Sequence, residues 1–112
     1  MGAANHNLVI DQGTSFIVEL EVKEDDVVKN LTGYSARAQA RTTKASDTVA
    51  ATFSCSIPTP SNGKIKIELS PATSNAMASG QYFYDLEIYT SNDAIVKRIL
   101  EGTVNLTQGV TR

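Results

Sequence analysis

The sequence predicts an all-β fold, an antiparallel β-sandwich of seven or eight strands with one short helical turn. Three observations predict it. Nearly every segment alternates apolar and polar residues with a period of two, which turns one face of a strand toward a core. Turn residues break that alternation roughly every dozen residues, the spacing of a sandwich and not of alternating strands and helices. A chain of 112 residues, 41% hydrophobic and 20% charged, suffices for one packed core and leaves little room for a second.

Each element follows from its own residues. Residues 1–7 are small and polar and read as a flexible N-terminal tail, so the sandwich domain is expected over 8–112. A short apolar run from Asn7 to Asp11 closes at Gln12-Gly13. Phe16, Val18, Leu20 and Val22 then form one face of a strand, with Glu19, Glu21 and Lys23 on the other. Glu24-Asp25-Asp26 turns the chain into a short return at Val27-Val28. The next strand spans about Tyr34 to Arg41, where Ala36, Ala38 and Ala40 make a thin inner face that suits close approach of the opposing sheet.

A strand is expected from Thr48 to Ile57, then a turn at Pro58 to Gly63, because proline cannot extend a central strand and glycine tolerates positive φ. Lys64 to Leu69 is the cleanest strand, with Ile65, Ile67 and Leu69 inward and Lys64, Lys66 and Glu68 outward. Ser70 caps a short helix with Pro71 at its first position, running to about Ala78. Gln81 to Thr90 follows, with Tyr82, Tyr84, Leu86 and Ile88 on its inner face. The last strand runs from Ala94 to Thr107, with Gly102 as a bulge or bend.

The entry to the penultimate strand narrows the fold class. Immunoglobulin-like sandwiches carry a tyrosine at that corner whose hydroxyl bonds back to the preceding backbone. Tyr82 occupies the place, a structural tyrosine corner, and Tyr84 stands where a disulfide-bonded domain has cysteine. The expected architecture is therefore an immunoglobulin-like sandwich. It has no inter-sheet disulfide, because Cys55 is the only cysteine, and the alternation around Cys55 gives it the role of a small buried hydrophobe.

Composition and motifs exclude several functions. A net charge of −2 and the absence of any Lys/Arg run give no electrostatic footprint for nucleic acid or anionic membrane. No stretch approaches the roughly 20 apolar residues of a membrane span, and the N-terminus has no secretory pattern. The Asn-Leu-Thr triplets at Asn30 and Asn105 are then chance matches to a glycosylation acceptor. His6 lies in the tail, away from any partner that could orient it for acid–base work. Glu24, Asp25 and Asp26 lack EF-hand spacing and read as a solvated hairpin tip. No glycine-rich phosphate loop, dinucleotide fingerprint or nucleophile elbow is present. The sequence therefore offers no catalytic, cofactor-binding or metal-ligating residue, and a non-enzymatic protein without cofactor is expected.

What remains is surface. Phe83, Asp85, Glu87 and Tyr89 alternate with the inner face of the penultimate strand, which puts Phe83 and Tyr89 on its outer face. Aromatic residues so placed are enriched at the centres of protein interfaces. Phe83 and Tyr89 are accordingly the candidate interface residues, and exposed strand edges are the second candidate.

Four stretches, taken in order, carry a family resemblance: Ile10 to Phe16 (IDQGTSF), Leu31 to Arg41 (LTGYSARAQAR), Gly80 to Ile88 (GQYFYDLEI) and Leu100 to Val104 (LEGTV). The pattern resembles the immunoglobulin-like domain of tailed-phage structural proteins, and is similar to the N-terminal domain of baseplate upper proteins. The resemblance spans Leu8 to Thr107 and implies a virion component that docks to other virion proteins, with no catalytic residue to carry over. Baseplate upper proteins continue into further domains, so a stand-alone domain is expected to serve as a capsid decoration, a neck or tail adaptor, or a cap on a tail or baseplate assembly. Such a component is made in the host cytoplasm, ends in the virion, and is expected to be a homo-oligomer. The alternative is a carbohydrate- or host-surface-binding module, for which Tyr34, Tyr82, Tyr84 and Tyr89 are the rings available to stack on a glycan.

Overall fold

Ten strands, three of them only two residues long, account for most of the chain in a computed structural model that describes residues 4–24 and 26–110. They are β1 (Ala4–Asn5), β2 (Leu8–Asp11), β3 (Phe16–Glu21), β4 (Lys23–Glu24), β5 (Val27–Val28), β6 (Ser35–Arg41), β7 (Ala51–Ser56), β8 (Lys64–Leu69), β9 (Gly80–Tyr89) and β10 (Val96–Thr107). The single α-helix, α1 (Pro71–Ala76), joins β8 to β9. Apart from the small β4–β5 hairpin, the strands form one curled sheet that folds over itself into an immunoglobulin-like sandwich.

One layer holds β6, β9 and β10 in antiparallel order, with β1 and β2 both added parallel to β10. The other layer is β3 against β8, in register from Phe16↔Leu69 to Glu21↔Lys64. Strand β7 connects the layers by changing partner midway. Ala51–Phe53 pair with β6, and Ser54–Ser56 pair with β8. The core lies between the layers and draws on the alternation read from the sequence: Ile65, Ile67 and Leu69 from β8, Tyr82, Tyr84, Leu86 and Ile88 from β9, and Val104 and Leu106 from β10, all buried. Ala38 and Ala40 of the thin alanine face are buried as well.

An aromatic ladder runs across the core from β3 through β7 to β9. Phe16 of β3 meets Phe53 of β7 edge-on with centroids 6.3 Å apart, and Phe53 meets Tyr84 of β9 at 6.2 Å. Edge-to-face pairs of this kind contribute about 0.5–1.5 kcal/mol each beyond area burial. The Tyr82 hydroxyl donates to the Ala78 carbonyl, four residues upstream, and so pins the entry of β9 to the end of the helical connection. That helix is tied in turn to the β2–β3 turn. Buried Ser74 accepts from the Gly13 N–H and donates to the Thr14 carbonyl, both at 3.0 Å. Ser70 caps the helix by accepting from the Thr73 N–H at 3.2 Å.

Two expectations are corrected here. Residues 4–7 are not a flexible tail. Ala4 and Asn5 pair in parallel with Leu100 and Glu101, the His6 N–H donates to the Glu101 carbonyl (2.9 Å), and Asn7 Oδ1 accepts from the Thr103 N–H (3.1 Å). Polar side chains on such a segment do not prevent backbone pairing, because the ladder is made by the main chain. Met1, Gly2 and Ala3 of that tail, and Asp25 of the expected turn, lie outside the described residues. The second correction concerns Gly102, which keeps regular register opposite Tyr84, while the ladder slips between Arg98 and Leu100. Gly102 instead answers a close approach: a Cβ there would stand 2.2 Å from the His6 carbonyl oxygen.

Strand β3 ends the sheet, with no neighbour on its outer side among the described residues. The Val22 N–H donates to the Gly63 carbonyl (2.7 Å), and alternation along an antiparallel ladder turns the backbone groups of Ile17, Glu19 and Glu21 toward that open side. Phe16, Val18 and Leu20 on its inner face are only half-buried, whereas Ile65, Ile67 and Leu69 beside them are buried. Glu19 and Glu21, bridged to Lys64 (3.8 Å) and Lys23 (3.5 Å), are the charges that guard this edge. Replacing both by valine is expected to leave the fold intact and make the protein aggregate. Light scattering of the Glu19→Val/Glu21→Val variant against the wild type checks it, and equal solubility would remove the guarding role.

Candidate docking face

The outer surface of the β6–β9–β10 layer presents four rows of cross-strand neighbours. From one end to the other they are Ser35–Tyr89–Val96, Arg37–Glu87–Arg98, Gln39–Asp85–Glu101 and Arg41–Phe83–Thr103. The two aromatic residues singled out in the sequence therefore share a face but occupy its opposite ends, six residues or roughly 20 Å apart along the strand. Both are half-buried by their neighbours, and β9 is paired on both edges, so the strand is central while its outer face stays open.

Between the ends the charges satisfy one another. Arg37 donates to Glu87 (2.9 Å), lies 3.5 Å from Asp93, and stacks its guanidinium over the Tyr89 ring at 4.4 Å from the centroid. Arg98 reaches Asp85 (3.2 Å) and Glu101 (3.9 Å). Burial pushes the Asp85 carboxyl above its ordinary range, against the opposing pull of Arg98. Exposed pairs of this type add little to stability, so their main effect is to fix side-chain positions and set the charge pattern a partner meets. The face is concave, with a depression of about 510 Å³ lined by Arg37, Arg41, Lys44, Phe83, Asp85 and Arg98 among others.

A second, more apolar cleft of about 280 Å³ opens on the flank between β3 and the start of β10, over Leu20, Val22, Leu86, Ile88 and Ile99. Glu24 closes one rim by bridging Lys29 (2.5 Å) and Lys97 (3.6 Å), and the Lys29 hydrogen bond holds its carboxyl below the usual range. This bridge is a link that sequence reasoning missed. It fastens the β4–β5 hairpin to β10, and Glu24 and Lys97 are too far apart in the chain for any local pattern to report it.

Of the four tyrosines considered for stacking on a glycan, Tyr82 and Tyr84 are each 5% exposed and belong to the core. Their period-two neighbours put them inside, so the rings open to a sugar reduce to Tyr34, which carries the Lys29 ammonium 5.0 Å from its centroid, and Tyr89, already covered by Arg37. Cys55 is half-buried, and burial alone pushes its thiol up to about 11. Among the described residues no three His, Cys, Asp or Glu side chains gather as a metal site, and no helix is long and apolar enough to cross a membrane.

No protein-family model matches the chain, and no curated protein matches it by sequence. Solved structures share its fold. It is similar to InlP of Listeria monocytogenes, with a TM-score of 0.50 and 12% identity over 94% of this chain, which spans 28% of that one. It is also similar to the cysteine protease inhibitor EhICP2 of Entamoeba histolytica (TM-score 0.47, 21% identity, 90% of this chain and 85% of that one). AggA, the major subunit of aggregative adherence fimbriae type I of Escherichia coli, gives a TM-score of 0.42 with 12% identity over 92% of this chain and 89% of that one. None of the three is a phage protein, and the likeness to InlP, at 12% identity, is one of fold alone.

Proposed function

We propose that this chain is a non-enzymatic structural protein of a tailed-phage virion that docks to other virion proteins through the outer face of its β6–β9–β10 layer. The observation that carries the docking is the concave, uncovered face on a fully paired central strand, with Phe83 and Tyr89 half-exposed at its two ends. Half-exposed aromatics gain by desolvation when a partner covers them, and the self-paired charges between them fix the register in which a partner can sit. The free β3 edge offers a second surface of the kind that pairs with an added strand. The virion assignment rests on the resemblance carried by IDQGTSF, LTGYSARAQAR, GQYFYDLEI and LEGTV.

Quantitative mass spectrometry of purified particles, calibrated on the major capsid protein, tests the assignment. Symmetric assemblies fix copy number, so hundreds of copies mean a capsid decoration, and about six or twelve mean a neck, tail or baseplate position. Absence from particles overturns the virion reading.

A further inference from the structure

The described lysines and arginines divide unevenly. Lys23, Lys29, Arg37, Lys64, Lys66, Lys97 and Arg98 each have a carboxylate within 4.0 Å. Arg41 and Lys44 have none among the described residues, and both line the Phe83 end of the depression. Arg41 is the cross-strand neighbour of Phe83. Its guanidinium is held by the Ser46 carbonyl (2.8 Å) and Gln39 Oε1 (3.1 Å), which fix its direction without neutralising it. An oriented guanidinium, an ammonium and a half-exposed ring together suit a carboxylate flanked by an apolar side chain.

The same chain carries such a group at the other end of the molecule. In the β4–β5 hairpin Asp26 has no cation partner among the described residues, and beside it Val27 is 67% exposed. Asp26 sits at φ 63°, a left-handed backbone that aspartate tolerates better than most residues. The hairpin is pre-set in place by its pairs Lys23↔Val28 and Glu24↔Val27 and by the bridges from Glu24 to Lys29 and Lys97. Lys97 neighbours Ile88, so the hairpin belongs to the Tyr89 end of β9, opposite Phe83, Arg41 and Lys44. Val28, Ile95 and Val96, each at least 40% exposed, add apolar surface from the hairpin and the start of β10.

We infer that a second copy of this chain occupies the depression, seating its Asp26–Val27 hairpin between Arg41, Lys44 and Phe83. Knob and acceptor are different surfaces, so the contact is heterologous, and each copy offers one of each. The inference rests on the docking face proposed above and names its partner. Val27 and Val28 are already paired with Glu24 and Lys23 before binding, which lowers the entropic cost of association.

Analytical ultracentrifugation of the purified full chain tests it. The wild type is expected to associate as its concentration rises, and to do so less at high salt, because the contact joins opposite charges. Arg41→Glu/Lys44→Glu removes the acceptor and Asp26→Asn/Val27→Ser removes the knob. Lys44, Asp26 and Val27 are exposed and Arg41 is half-buried at the rim of the depression, so thermal unfolding of both variants is expected to stay within a few degrees of the wild type while association weakens by at least about tenfold. Mixing the two monomeric variants restores a pair, since the first still has its knob and the second its acceptor. A wild type that stays monomeric up to about 1 mM, a variant that associates as well as the wild type, or a mixture that forms no pair overturns the inference. The virion assignment is judged separately: a monomeric protein found in particles sinks only the self-association, and an associating protein absent from particles sinks only the virion reading.

Discussion

Leu86→Ala is expected to lower the stability of the fold by about 2–5 kcal/mol, the range of large-to-small changes at buried sites. Leu86 is 0% exposed and sits mid-way along β9, with Ala38 opposite it on β6 and Leu100 opposite it on β10. The alanine face gives the cost its size. Ala38 has only a methyl group, too short to fill the space, and the backbone cannot collapse because β9 is hydrogen-bonded on both edges. A domain of this length loses roughly 4–8 °C of melting temperature per kcal/mol, so a fall of about 8–40 °C is expected by differential scanning calorimetry. A fall of only a degree or two would mean that neighbouring side chains repack into the space, and that the core between the layers is looser than its burial implies. Leu86→Met, which keeps the volume, should recover most of the loss.

The same residues show what could be read from the sequence. Leu86, Ile88, Ile65 and Ile67 were placed inside by alternation alone, because each strand is half-buried and a period of two admits one inner face. The Ser70 cap, the Pro71 start and the Gly63 turn were legible for the same reason: their chemistry is local, and Gly63 does adopt a positive φ of 70°. Pairing between segments far apart in the chain was not legible. Nothing within residues 4–7 reports that their backbone adds in parallel to β10, some ninety positions on, and a polar stretch without that partner reads as tail. Strand β7 was expected from Thr48 to Ile57, but its change of partner at Phe53/Ser54 leaves no mark in its composition. The docking face was half legible. Alternation put Phe83 and Tyr89 on the outer surface, but only the register shows Arg41 opposite Phe83 and Arg37 over Tyr89.

Gly102 carries the second large effect, and it separates a bulge residue from a packing residue. Placing a methyl group on a bulge glycine with ordinary backbone angles costs little, and Gly→Ala at a compatible position even stabilises by about 0.4–1 kcal/mol through the unfolded chain. At Gly102 the added Cβ would meet the His6 carbonyl oxygen at 2.2 Å, the His6 carbonyl carbon at 2.8 Å and Asn7 Oδ1 at 3.0 Å. Two of these are backbone atoms of the segment joining β1 to β2, and no rotamer change relieves them. Gly102→Ala is therefore expected to destabilise by about 1–3 kcal/mol, the usual cost of overpacking, by pushing that segment off β10. The displaced carbonyl is the one that accepts the Tyr84 hydroxyl, so the two sites must couple. Tyr84→Phe alone should cost about 1 kcal/mol, the net value of one hydrogen bond, and close to nothing once Gly102→Ala has already broken it. Urea unfolding of the two single variants and the double variant completes the cycle. Additive losses would mean that His6 keeps its place despite the added methyl, and that Gly102 is small for another reason.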